Sequence, residues 1–74
     1  MEKYIWIRKI RALSNSKVPA KDMEVLVRNI RDIKGVEGVS FSSEEGLVKV
    51  IGEFNPSDIY SKITSRGYTI HKLI

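Results

Sequence analysis

The chain contains no cysteine, which excludes disulfides, thiolate nucleophiles and thiolate metal ligands outright. A single histidine, His71, excludes any site that needs two imidazoles. Most enzyme classes fall with these two absences, so the chain reads as a non-enzyme with no cofactor. Two prolines and five glycines are scattered along the chain, with no linker, repeat or low-complexity stretch. No run approaches the roughly 20 apolar residues that a membrane span requires. The start, Met1 to Ile10, alternates apolar residues with charge and lacks the continuous apolar core of a signal peptide. The expectation is a cytoplasmic chain that makes no use of a membrane.

What remains describes a soluble globule. Seventy-four residues suit one domain, 1–74, burying only about 60% of its unfolded surface. The apolar fraction of 42% and charged fraction of 30% argue against a disordered tail. The net charge of +4 is unevenly placed. Residues 1–21 hold Lys3, Arg8, Lys9, Arg11, Lys17 and Lys21 against Glu2 alone, while the remainder is close to neutral. Such a basic run is either solvated surface or an attraction for an acidic protein surface or phosphate.

Alternation of Ile5 and Ile7 with Tyr4, Trp6 and Arg8 predicts a strand over Lys3 to Ile10. A loop containing Ser14, Asn15 and Ser16 follows, and Pro19 fits the first turn of a helix. Met23, Leu26, Val27, Ile30 and Ile33 then form one apolar stripe at helical spacing, and Gly35 supplies a stop. Val36 to Phe41 and Leu47 to Ile51 read as strands, with Val39/Phe41 and Val48/Val50 as inward pairs. The hairpin between them, Ser42 to Gly46, places a positive φ at Gly46. Asn55-Pro56-Ser57-Asp58 starts a second helix, with Asn as N-cap, Pro in the first position and Asp near the positive end of the dipole. Ile59 and Ile63 face the core, Gly67 ends the helix, and Tyr68 to Leu73 closes the chain as a strand. The order βαββαβ is α+β, ferredoxin-like: two helices on one face of a four-stranded antiparallel sheet whose first and third strands are central.

Four segments carry a resemblance. Gly35-Val36-Glu37-Gly38-Val39-Ser40-Phe41, then Val48-Lys49-Val50-Ile51-Gly52, then Asn55-Pro56, and finally Gly67-Tyr68 resemble the heavy-metal-associated (HMA) domain family, in this order and at this spacing. The resemblance implies a βαββαβ fold that carries soft metals such as Cu(I) or Zn(II) on a Cys-x-x-Cys pair before the first helix. Counting back from Gly35, those two positions fall on Pro19 and Asp22. Neither supplies the soft sulfur that Cu(I) requires, and Met23 belongs to the apolar stripe. The chain therefore resembles an HMA-like variant with a degenerate metal loop, although the stretch Ile10 to Val18 is a few residues longer than the family's usual loop. HMA-like domains without the metal motif are protein-interaction modules. The resemblance thus implies an effector-binding or regulatory domain of a larger protein, such as a domain integrated into a plant immune receptor. Tyr68, whose family counterpart packs near the metal loop, would fill that space as a structural residue.

The sheet face away from the helices offers a surface for such a role. If Ile5 and Ile7 face the helices, Tyr4, Trp6 and Arg8 face outward, alongside Leu47, Lys49 and Ile51. Tyr4, Trp6, Arg8, Lys49 and Ile51 are the candidate protein-binding residues, because Trp, Tyr and Arg are the side chains most enriched at interface hot spots. The bland alternative has Trp6 simply covering the sheet or facing the core. A homodimer is equally compatible with an apolar sheet face and an exposed edge strand. RNA-recognition modules share this topology, but they stack bases on third-strand aromatics, and Gly46 to Ile51 has none, so a nucleic acid ranks low. His71 and the pair Glu44-Glu45 read as surface residues. A residual metal-handling domain that borrows ligands from a partner is the main alternative function.

Overall fold

The computed structural model describes residues 1–9 and 18–74. Its elements are β1 (Glu2–Lys9), α1 (Ala20–Arg31), β2 (Val36–Ser42), β3 (Leu47–Gly52), α2 (Pro56–Ser65) and β4 (Tyr68–Leu73). The expected βαββαβ order is therefore the observed one. The sheet runs β2-β3-β1-β4 with all neighbours antiparallel, so β1 and β3 are central. Ile10, the Ser14-Asn15-Ser16 loop and the length of the connection to α1 lie outside the described residues.

Both helices cover one face of the sheet, α1 chiefly over β2 and α2 over β4. The stripe on α1 buries Met23, Leu26, Val27 and Ile30, and α2 buries Ile59 and Ile63. They meet Ile5 and Ile7 of β1 and Val48 and Val50 of β3, which are all but fully enclosed. Each such side chain contributes on the order of 1.5–3 kcal/mol relative to exposure. Val18 and Phe54, which belong to no periodic pattern, also enter this core. Among the described residues no polar side chain is buried.

The helix ends depart from the sequence expectation by a few residues, for local reasons. Pro19 sits at the N-cap of α1 and not within its first turn: its ψ of 145° is extended, and its carbonyl accepts the Met23 N–H at 3.1 Å. α1 ends at Arg31, capped through Asp32, ahead of Gly35. Ile33 is half-buried in the connection, where its N–H donates to the Ile30 carbonyl. Gly35, at φ +91°, turns the chain into β2. At α2 the expected cap is present, the Asn55 side chain accepting the Ser57 N–H at 3.0 Å. Phe41 shares the inner face with Val48 but remains 37% exposed, because β2 is an edge strand.

Candidate functional site: the open sheet face and the start of α1

The register of the central strands decides what the uncovered face presents. Tyr4 stands opposite Lys49, and Trp6 opposite Leu47. On the far side of β3, Lys49 is opposite Ser40 and Leu47 opposite Ser42. Residues directly opposite in an antiparallel pair share a face. Because Ile5, Ile7, Val48 and Val50 point into the core, Tyr4, Trp6, Leu47, Lys49 and Ile51 lie together on the outer face. Arg8 joins them opposite Thr69. All five candidate binding residues thus occupy one surface. Tyr4, Trp6 and Leu47 are half-buried against the sheet, Ile51 is 37% exposed, and Arg8 is exposed. A shallow groove of about 170 Å³ runs beside Tyr4, Ser40, Ser42, Leu47 and Lys49.

Lysines sit over both aromatic rings. Lys49 Nζ lies 5.4 Å from the Tyr4 ring centre and 3.7 Å from Glu2 Oε1. Lys72 Nζ lies 4.9 Å from the Trp6 ring centre. At exposed sites each such cation–π contact is worth only about 0.5–1 kcal/mol, so the lysines cover the rings without locking them away.

Lys72 was not legible as part of this surface. Alternation from the buried Tyr68 through Ile70 would send residue 72 toward the helices. The β1–β4 register shifts between Trp6 and Ile7, so that Ile7 is opposite Ile70 while Trp6 is opposite Lys72. His71 is the extra residue, and this bulge re-aims every side chain after it. Lys72 is thereby turned onto the outer face and Leu73 set opposite Ile5. The sequence carries no glycine or proline there to announce it.

The positions implied for a Cys pair lie at the start of α1. Pro19 precedes the helix, is exposed, and has no donor atom in its side chain; Asp22 is half-buried in the first turn. Asp22 lines an open concavity of about 170 Å³ with Val25, Leu26, Arg66 and Tyr68. Tyr68 is buried and lines the same concavity as Asp22. Arg66 is tied to α1, with Nη2 donating to Asn29 Oδ1 at 2.6 Å. The Met23 thioether is enclosed in the core. His71 stands in the β4 bulge, three residues beyond Tyr68. Among the described residues no three His, Asp or Glu side chains group as metal ligands would. This donor set does not fit Cu(I): one hard carboxylate beside a proline replaces two soft thiolates.

Among the described residues no helix is long and apolar enough to cross a membrane. No family model matches the chain, and no curated protein matches it. Solved structures do. The chain superposes on the CsoZ metallochaperone with a TM-score of 0.79 at 23% identity, covering 97% of each chain. It superposes on a copper-binding domain from HMA7, a P-type ATPase, with a TM-score of 0.67 at 17% identity, covering 99% of this chain and 97% of that one. Identities this low establish a shared fold, the ferredoxin-like fold of HMA domains.

Proposed function

We propose that this chain is an HMA-like domain without the family's metal chemistry, and that it recognises a protein partner through the open face of its sheet. The observation that carries the reading is the juxtaposition of Tyr4, Trp6, Leu47 and Ile51 on one uncovered face, ringed by Arg8, Lys49 and Lys72. Large aromatic and aliphatic side chains on a surface that none of the described residues covers mark an interaction site, and a cationic rim gives orientation and on-rate. The role is binding and not catalysis. The fold shared with a metallochaperone and a copper-binding domain supports the family assignment, while Pro19 and Asp22 stand against carrying over the metal. Leu47, Lys49 and Ile51 on β3 offer no ring for stacking bases, which favours a protein over RNA. The finer placement, an effector-binding or regulatory domain within a larger protein such as a plant immune receptor, draws its support from the sequence resemblance alone.

The test is affinity capture with three forms of the chain. Wild type and a helix-face control, Arg28→Glu, retain the same protein; Trp6→Ala, with its circular dichroism unchanged, loses it. Retention by Trp6→Ala together with loss by the control would reassign the contact to the helices.

A further inference from the structure

Resting on the protein-recognition reading above, we propose that the partner is acidic: a segment rich in Asp or Glu with at least one large apolar side chain, lying along β1 and β4 over Trp6. Its carboxylates meet Lys72 and Arg8, and its apolar side chain meets the Trp6 ring. Among the described residues the outer face holds three cations, Arg8, Lys49 and Lys72, against one side-chain carboxylate, Glu2, which already lies 3.7 Å from Lys49. The remaining positive charge is therefore concentrated at the Trp6–Arg8 end of β1. Glu44 and Glu45 lie in the turn before β3, which directs an acidic segment toward the β4 side and away from the hairpin. Lys72 is held over Trp6 by an exposed cation–π contact that a carboxylate can readily outcompete. Moving the ammonium aside uncovers the ring for apolar contact, so one event satisfies both the charge and the apolar surface.

Other occupants fit less well. Two copies paired through this face would bring the three described cations on each side together, with one described side-chain carboxylate apiece, and like charges across an interface are strongly disfavoured. A single-stranded nucleic acid would find phosphate-binding cations but no aromatic on β3 to extend stacking beyond β1.

Trp6 is the only tryptophan, so its fluorescence reports on this face alone. The full chain is titrated with three probes: a short Asp/Glu-rich peptide carrying two Phe, the same peptide with Lys at each acidic position, and an oligothymidylate. The expected result is a saturable change in emission with the acidic peptide only, weakened when salt is raised from about 50 to about 300 mM. Arg8→Glu and Lys72→Glu, at exposed positions on different strands, should each weaken it at least about fivefold. Equal or tighter binding of the Lys peptide or the oligothymidylate, unchanged affinity in both variants, or no response to any probe would each overturn the proposal. A chain whose mass doubles with concentration, and whose doubling is abolished by Trp6→Ala, would assign the face to a second copy instead. A response to the Lys peptide alone refutes the acidic partner while leaving recognition through this face intact. A captured partner indifferent to Trp6→Ala refutes the underlying reading.

Discussion

Gly52, at the end of β3, is with Gly35 one of the two described positions, both at positive φ, where a side chain would collide most closely with backbone. It is buried opposite Val36 with φ +146°, a backbone state that costs an L-residue roughly 1–2 kcal/mol. A Cβ there would also be driven onto the carbonyl oxygen of Gly35 and to 2.8 Å from the Glu37 amide nitrogen. Both are backbone atoms, one just before β2 and one at the β2–β3 register shift between Val36 and Gly38, and cannot swing aside. Relieving the overlap means opening the β2–β3 ladder at its end and losing the bond from Glu53 N–H to the Gly35 carbonyl, 2.9 Å long and worth about 1 kcal/mol. Gly52→Ala should therefore cost about 3 kcal/mol or more, from a total that for a chain of this length is roughly 4–11 kcal/mol. Gly38→Ala is the matched control, because a Cβ there meets nothing within 4 Å. It should leave stability within about 0.5 kcal/mol of wild type or raise it slightly. Urea unfolding followed by far-ultraviolet circular dichroism measures both. A Gly52→Ala loss no larger than that of Gly38→Ala would refute the packing argument.

Asn55→Ala removes the acceptor for the Ser57 N–H and should lower stability by about 1 kcal/mol, read from the same urea transition. Ile63→Ala empties part of the enclosed space between α2 and the sheet and should cost about 2–5 kcal/mol; a smaller loss would mean that the core closes over the gap. Titration with Cu(I) and then Zn(II) under reducing conditions should move no amide resonance between Val18 and Glu24, whereas the double substitution Pro19→Cys, Asp22→Cys should gain saturable Cu(I) binding. Saturable shifts in the unaltered chain at Asp22 would show that a metal site persists.

Much of the fold was legible because two periodicities are cleanly written. Met23, Leu26, Val27 and Ile30 repeat at helical spacing and all enter the core. Ile5/Ile7 alternate with the amphipathic Tyr4 and Trp6 and the charged Arg8, and Val48/Val50 flank Lys49, which set the inner and outer faces of the central strands. The cap of α2 was equally plain, since Asn55-Pro56 has few other uses. Three features were not legible. The helix limits near Pro19 and Arg31 depend on backbone dihedrals to which the apolar stripe is indifferent. Phe54 and Val18 enter the core from connections that have no period. The bulge at His71, which brings Lys72 over Trp6, arises from the fit between β1 and β4. That bulge matters most for the site, because alternation alone would have sent Lys72 to the opposite face.

The central claim is that the chain meets its partner with the open sheet face and not with the start of α1. An amide NMR titration of the isotopically labelled domain with its captured partner tests it directly. The account predicts shifts or broadening along the outer face, at Tyr4, Trp6, Leu47 and Lys49, extending to Lys72. Changes confined to Val18–Leu26 and Tyr68, with the central strands undisturbed, would contradict it and return the contact to the start of α1.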